Sequence, residues 1–129
     1  MRDRITLAKG DAKSLVYEDE TFDTTISNSL IHHSPDPERC FAEIHRVTAA
    51  GGLVFVRDLV RPNTNAIAQQ LVQQYAEDAT DYCKRLFLDS FHAALTMGEV
   101  QQIVGDLGYS SQTVTMSSDR HWTWAAIKP

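Results

Sequence analysis

Two adjacent histidines, His32 and His33, are the residues of this chain whose types and position most suggest chemistry. They follow an extended run that ends in Ser-Asn-Ser, and they precede a proline-marked helix start. An imidazole accepts a proton near neutral pH, so either histidine could act as a general base. The structural alternative is that one ring packs against the following helix while the other faces solvent. The sequence leaves both interpretations open.

A metal site is another interpretation of this segment, because side chains that bind metals are dense there. They are His32, His33, Asp36, Cys40 and His45. Neighbouring residues of an extended chain point to opposite faces, so two adjacent histidines rarely share one ion. The spacing matches no standard zinc pattern. We therefore expect no metal here.

Composition restricts the class of protein and its partners. The chain has 129 residues, of which 43% are apolar and 22% charged, which predicts one soluble globular domain. Its formal net charge of -5 would repel phosphates, which argues against nucleic acid. Cys40 and Cys83 form no CxxC motif, which favours a reducing cytoplasm. No signal peptide or membrane-length apolar run is visible, so we expect a cytoplasmic protein without a membrane partner.

The elements that must position these histidines alternate between strands and helices. Alternation predicts a strand at residues 4–9, and a β-branched run predicts a second strand within 22–30. Asp36 and Pro37 predict the start of a helix. Its apolar stripe is Cys40, Phe41, Ile44 and Val47. We expect Gly51-Gly52 to end this helix, and residues 53–60 to form a buried strand.

The second half of the chain predicts further helices and a terminal hairpin. Residues 63–84 read as one long helix, residues 85–95 are amphipathic, and Thr96 to Glu99 has the pattern of a capping box. Two extended runs, 112–116 and 121–127, predict an antiparallel hairpin, in which Trp122 and Trp124 share one face and are expected to pack in the core or at an edge. The fold class is α/β, with parallel strands, a C-terminal antiparallel hairpin and helices on both faces.

The ordered set of motifs resembles a known family. Residues 10–23, GDAKSLVYEDETFD, and residues 27–62, from Ser-Asn-Ser through His-His to Gly-Gly and Arg-Pro, resemble the C-terminal two-thirds of class I S-adenosylmethionine-dependent methyltransferases of the small-molecule type. The resemblance covers nearly the whole chain and implies a Rossmann-like sheet. It implies methyl transfer from S-adenosylmethionine to a small-molecule acceptor.

The resemblance also implies roles for particular residues. Asp11 and Ala12 would bind the adenine of the cofactor, although Asp11 could instead cap the turn after a strand. Asn28 and Ser29 would meet the methionine portion, the alternative being an Asx turn. His32 and His33 become candidate catalytic bases. Three residues are candidates for the substrate side: Asp58, Arg61 and His92. Asp58 and Arg61 could also form an ion pair, and His92 could simply be a surface residue.

One part of the family pattern is missing from the sequence. The glycine-rich turn after the first strand and the acidic residue ending the second do not occur here. A single methyltransferase-like domain lacking its first two β-α units is the expected organisation. The second strand would then have a bare edge, repaired by the strand at 4–9, by a second copy in a homodimer, or by a missing N-terminal segment. The alternative function is a degenerate or split methyltransferase without autonomous cofactor binding, acting as a self-associating or partner-binding module.

Overall fold

A computed structural model describes residues 4–129 of the chain. Over this range it contains four strands and four α-helices. They are β1 (Phe22–Asn28), α1 (Pro37–Val47), β2 (Thr48–Leu59), α2 (Asn65–Tyr75), α3 (Asp81–Ala93), α4 (Met97–Asp106), β3 (Val114–Met116) and β4 (His121–Ile127). Short 3-10 helices occupy Ile31–His33 and Ser111–Thr113. None of the helices in residues 4–129 is both long and apolar enough to cross a membrane.

The strands form one mixed sheet in the order β1-β2-β4-β3. β1 and β2 are parallel, whereas β4 is antiparallel to both β2 and β3. This confirms the α/β class, and β3 with β4 is the predicted C-terminal hairpin. The strand predicted at residues 4–9 is wrong, so the sheet has two parallel strands and not three. Without a neighbouring strand these residues gain no ladder hydrogen bonds, and Leu7 remains 93% exposed.

The main core lies between one face of the sheet and helices α1 and α4. Val54 and Val56 alternate toward this face, and the register aligns Val56 with Trp124 of β4. Both tryptophans are fully buried, as predicted, and Phe41 of α1 lies 5.8 and 5.4 Å from the Trp122 and Trp124 ring centroids. Stacked and tilted ring contacts of this kind add to the stabilisation from burying large apolar area.

Helices α2 and α3 cover part of the opposite face. Leu59 points to that side and packs with α2 and α3 in a second apolar cluster, which includes Leu71, Val72 and Phe91. Helices therefore lie on both faces, as predicted. The rest of this side is uncovered, and we call it the open face. Its apolar side chains are Phe22, Ile26, Leu53, Phe55 and Ile127, which are 36% to 72% exposed.

The local helix signals were accurate at both predicted caps. The Asp36 side chain accepts a hydrogen bond from the Arg39 N–H at 3.3 Å, and Pro37 is the first residue of α1. Thr96 and Glu99 form the predicted reciprocal capping box at the start of α4. The single long helix predicted at 63–84 is wrong, because α2 ends at Tyr75 and Thr80 caps a new helix. Most of the amphipathic segment 85–95 belongs to that helix, α3, which ends at Ala93.

The prediction that Gly51-Gly52 ends α1 is also wrong. The helix ends at Val47, and both glycines lie inside the long strand β2. Gly51 has φ +79°, a left-handed conformation that favours glycine. Gly52 is required for a different reason: a Cβ there would lie 2.5 Å from the Asp23 carbonyl oxygen and 2.8 Å from that of Ala49. The glycine pair permits close contact between β1 and β2.

Replacing Gly52 with alanine is therefore expected to destabilise the protein by about 1–3 kcal/mol, because both clashing atoms are backbone and must move. Urea unfolding at constant m-value measures the change. Gly98→Ala is the matched control, since a Cβ at Gly98 in α4 meets nothing within 4 Å and alanine is the better helix former. Equal stability of the two variants would contradict the close approach.

Candidate active site

The predicted site residues gather where β1 and β2 end. Ser29, directly after β1, has φ +59°, which is uncommon for a residue with a side chain. Its N–H donates to the Arg57 carbonyl at 3.0 Å, so the chain turns sharply while staying attached to β2. The Ile31–His33 turn follows, anchored by Ile31, which is 1% exposed. Strained backbone of this kind is concentrated at functional sites.

The central feature of the site is a buried pair formed by His32 and Asp58. The His32 Nδ1 lies 2.6 Å from the Asp58 Oδ1, and the side chains are 8% and 1% exposed. Two backbone groups also donate to this carboxylate: the His32 N–H to Oδ2 at 3.0 Å and the Leu59 N–H to Oδ1 at 2.7 Å. The carboxylate therefore accepts three hydrogen bonds, which compensates for its burial.

This arrangement fixes the orientation of the His32 ring. The Asp58 Oδ1 already accepts the Leu59 N–H, and a carboxylate oxygen can only accept, so Nδ1 carries the proton in this hydrogen bond. In the neutral imidazole the lone pair is then on Nε2. A carboxylate that holds one imidazole nitrogen and leaves the other free to accept a proton is the arrangement needed for general base catalysis.

His33 lies beside this pair on the outer side. The two imidazole centroids are 4.0 Å apart, and His33 is exposed. The expectation that the adjacent histidines point to opposite faces is wrong, because Ile31–His33 is a 3-10 turn and not an extended strand. Within residues 4–129 no group of three or more His, Cys, Asp or Glu side chains has the geometry to hold a metal ion.

A cleft of about 300 Å³ brings His33 together with the predicted adenine-binding residues. Residues from two separate segments line it: Gly10, Asp11, Ala12 and Lys13, and Leu30, His33, Ser34, Pro35 and Cys40. Asp11 and Ala12 therefore face the histidine turn across a concave surface, although about twenty positions separate them in sequence. Its volume is at the lower end of the range for small-molecule pockets.

The Asp11 carboxylate is held by Lys13. It accepts from the Lys13 N–H at 2.9 Å and from the Lys13 ammonium at 3.0 Å, and its side chain is 57% exposed. The backbone N–H of Lys13, followed by its ammonium, lowers the pKa of Asp11 below the ordinary value. The turn-capping interpretation is thus realised in the structure, while the exposed carboxylate still has lone pairs available for a ligand.

The segment that carries Asp11 is attached to helix α1 by side chains that sequence reasoning missed. Glu43 accepts from the Leu15 N–H at 3.0 Å, and Arg46 pairs with both Glu43 and Asp19. The Arg46 contacts and the Leu15 N–H lower the pKa of Glu43. Glu43 and Arg46 are three residues apart on α1, but Leu15 and Asp19 lie more than 25 positions from their partners. No local sequence pattern predicts the bonds to Leu15 and Asp19.

The remaining candidates occupy the rim. Asn28 and Ser29 are exposed at the end of β1. Arg61 pairs with Glu99 at 2.8 Å and Asp58 binds His32, so the alternative of an Asp58–Arg61 ion pair is wrong. His92 is exposed on α3, the helix that lies against the Ile31–His33 turn. His92 is not among the residues that line the cleft.

Comparison with known proteins identifies the class to which this fold corresponds. Residues 1–56 match the family model of the methyltransferase domain. A SAM-dependent methyltransferase from Thermotoga maritima superposes with a TM-score of 0.61 at 17% identity, covering 99% of this chain and 67% of that one. The predicted resemblance is thereby confirmed: the fold is that of a class I S-adenosylmethionine-dependent methyltransferase.

Curated relatives match shorter segments. A 2-methyl-6-phytyl-1,4-hydroquinone methyltransferase from rice is 36% identical over 58 residues, covering 45% of this chain and 17% of the relative. The norajmaline N-methyltransferase of Rauvolfia serpentina is 27% identical over 88 residues, covering 68% of this chain and 30% of the relative. The matched segments are thus less than a third of the length of these relatives.

Proposed function

We propose that this chain takes part in S-adenosylmethionine-dependent transfer of a methyl group to a small-molecule acceptor. The observation that carries the proposal is the buried His32–Asp58 pair beside the cleft lined by Asp11 and His33. The named relatives, which act on a hydroquinone and on an alkaloid, support a small organic acceptor. A single methyltransferase-like domain and a cytoplasmic location belong to the same proposal.

The cleft fits one end of the cofactor. The exposed Asp11 carboxylate is an acceptor suited to the amino group of adenine, and the Ala12 N–H would face a ring nitrogen. Asn28 and Ser29 would contact the methionine portion at the carboxyl end of β1. When bound, the cofactor supplies the activated methyl group. A cleft of about 300 Å³ suits the adenine end better than the whole molecule.

His32 would remove the proton that the acceptor loses. As a hydroxyl or amine of the acceptor is methylated, its proton passes to the free Nε2 of His32. Asp58 keeps the ring in the required tautomer and orientation through its bond to Nδ1. His33, adjacent and exposed, is the second candidate base, while Arg61 and His92 would border the acceptor. Positioning of the two reactants supplies much of the acceleration in such a displacement.

A second candidate function follows from the open face and the outer edge of β1. Five large apolar side chains are exposed there, and no strand in residues 4–129 pairs with the outer edge of β1. Exposed apolar patches and bare strand edges are typical of interaction surfaces. A split methyltransferase that binds a partner, either an N-terminal segment or a second copy, would use this surface.

Asp11→Ala is expected to weaken S-adenosylmethionine binding by about 10- to 100-fold, because it removes a charge-assisted hydrogen bond to the amino group of adenine. Calorimetric titration with S-adenosylmethionine and S-adenosylhomocysteine measures this. Asp78→Ala, which removes an exposed carboxylate between α2 and α3, is the control and should bind as the unmodified protein does. Unchanged binding by Asp11→Ala would refute the adenine assignment. No binding by the unmodified chain at millimolar ligand would favour the partner-binding alternative.

A further inference from the structure

A row of polar side chains crosses the sheet where β1 and β2 end, on the same side as the open face. The register aligns Asn28 of β1 with Arg57 of β2, and Arg57 with Thr123 of β4. Residues aligned in this way project to the same face of a sheet, so the three side chains lie side by side. His121, two residues before Thr123, projects to that face as well. The large side chains of the open face are apolar, so this polar row is distinct from it.

The Arg57 guanidinium donates a hydrogen bond to the His121 ring. The Arg57 Nη2 lies 3.3 Å from the His121 Nδ1, and a guanidinium can only donate, so Nδ1 is the acceptor. Ser118 agrees with this assignment, because its Oγ accepts from the Arg120 N–H at 3.1 Å and lies 2.7 Å from the same Nδ1. In the neutral imidazole the proton is then on Nε2. Arg57 and His121 therefore both supply N–H donors at this end of the sheet.

The charge around this pair is positive. Burial, and then the Arg57 and Arg120 cations, lower the pKa of His121 below its ordinary value. The two nearby carboxylates are engaged elsewhere: Asp119 pairs with Arg120 at 3.0 Å, and Asp58 projects to the other face of the sheet. Among residues 4–129 no carboxylate oxygen lies within 4 Å of the Arg57 guanidinium. An anion would be attracted to this position.

We propose that Arg57 and His121 bind a carboxylate group of the methyl acceptor, which is then an acidic small molecule. The planar fork of a guanidinium matches the two oxygens of a carboxylate, and the imidazole N–H adds a further donor. Ligands of open α/β sheets lie beyond the carboxyl ends of the strands, which is where this pair lies. The identity of the ligand as an acceptor rests on the proposed function.

The position of the pair favours the acceptor over the cofactor. The cleft proposed for adenine is lined in part by Cys40 of α1, so it lies on the α1 side of the sheet. Arg57 projects to the opposite face, where Leu59, two residues further along β2, packs against α2 and α3. α3 carries His92, which is proposed to border the acceptor. The acceptor would span the end of β2, with its reacting group near His32 and its carboxylate near Arg57.

Benzoate is the probe for this site, and benzamide, which has nearly the same shape but no charge, is its control. Nuclear magnetic resonance of the His121 ring follows binding in the unmodified protein. Benzoate should shift the ring resonances saturably, with a dissociation constant of roughly 1–30 mM, because ligands of this size bind weakly. It should also raise the pKa of His121, because an adjacent anion favours the imidazolium. Benzamide should do neither.

Arg57→Gln should weaken benzoate binding at least about tenfold, because it removes the charge and the fork of donors. Arg85→Gln on α3 is the matched control: Arg85 is exposed, and its substitution removes the same charge from a distant surface. That variant should bind benzoate as the unmodified protein does. The His121 ring remains as the reporter in both variants. Equal binding by Arg57→Gln and the unmodified protein would overturn the proposal.

S-adenosylhomocysteine distinguishes the acceptor from the cofactor as the source of the carboxylate. If the site belongs to the acceptor, benzoate should bind equally well with S-adenosylhomocysteine present. Competition by S-adenosylhomocysteine, but not by 5′-methylthioadenosine, which lacks the amino-acid carboxylate, would assign the pair to the cofactor and overturn the proposal. Benzoate binding by a chain that does not bind S-adenosylhomocysteine would support the carboxylate site and count against the proposed function alone.

The measurements on the unmodified protein decide the proposal even if Arg57→Gln does not fold. Equal shifts with benzoate and benzamide would show that charge is not recognised. No saturable shift at about 100 mM benzoate, well above the expected dissociation constant, would assign Arg57 to a carboxylate of the polypeptide itself. Either result would overturn the proposal.

Discussion

Asp58→Ala is expected to lower the free energy of unfolding by about 3–5 kcal/mol, because it removes a buried carboxylate that accepts three hydrogen bonds. The Asp58 side chain is 1% exposed and accepts from His32 Nδ1 and from two backbone N–H groups. Alanine would leave these three donors without their acceptor in a place that excludes water. Each unsatisfied buried donor carries a desolvation penalty, so the losses accumulate.

Urea unfolding followed by tryptophan fluorescence measures this loss, since Trp122 lies opposite Asp58 in the β2–β4 register. Asp19→Ala is the comparison. Its carboxylate also pairs with a cation, Arg46, but the Asp19 side chain is 76% exposed, and exposed pairs contribute about 1 kcal/mol or less. If the two substitutions lowered the free energy of unfolding by the same small amount, the Asp58 carboxylate would not be a buried acceptor of three hydrogen bonds.

The caps of the helices could be predicted from the sequence because they are local. Asp36 bonds an N–H three residues away, and Thr96 and Glu99 bond each other across the same interval. Thr80 makes an equivalent bond to the Cys83 N–H, so a signal for the break between α2 and α3 was present. The signal was concealed because apolar residues recur at helical spacing on both sides of the break, at Ile67, Leu71, Val72, Tyr75 and Ala79. A continuous helical period does not exclude a cap within it.

Residues 4–9 show why alternation alone is insufficient for a strand. A helix satisfies its hydrogen bonds internally, whereas a strand requires a neighbour. Ile5 and Leu7 have the correct spacing, but they are 63% and 93% exposed and lie outside the sheet. Gly51-Gly52 is the complementary case: glycine pairs often end helices, but here the contact of Gly52 with the Asp23 carbonyl, 29 positions away, decides its role.

The candidate site was predicted as a set of residues but not as an arrangement. His32, Asp58 and Asp11 were all identified, yet the pair between His32 and Asp58 spans 26 positions and depends on how β2 ends beside the Ile31–His33 turn. The sequence left open an ion pair between Asp58 and Arg61, which are three residues apart. Glu99, 38 positions away, binds Arg61 instead. Contacts between distant segments follow from the sheet order, which single-residue patterns do not contain.

His32→Asn is expected to reduce the rate of methyl transfer by about 10²- to 10⁴-fold, the range typical of losing a general base. Asparagine can donate its side-chain N–H to the Asp58 Oδ1 from nearly the position of Nδ1, which retains the buried bond. It has no counterpart of Nε2, so the group proposed to accept the proton is removed. Single-turnover assays of the assembled enzyme with a hydroxyl or amine acceptor measure the rate.

His33→Asn separates proton transfer from the other effects of changing this turn. His33 lies 4.0 Å from His32 between ring centroids and lines the cleft, but Asp58 contacts only His32 of the two. If His32 is the base, His33→Asn should change cofactor binding more than the rate of the chemical step, and His32→Asn should do the reverse. A large rate loss in His33→Asn with none in His32→Asn would transfer the role of base to His33. The pH dependence of the rate distinguishes proton removal from positioning. At high pH the acceptor ionises without help, so a rate loss that disappears there, with equal rates in all three proteins, would support a base.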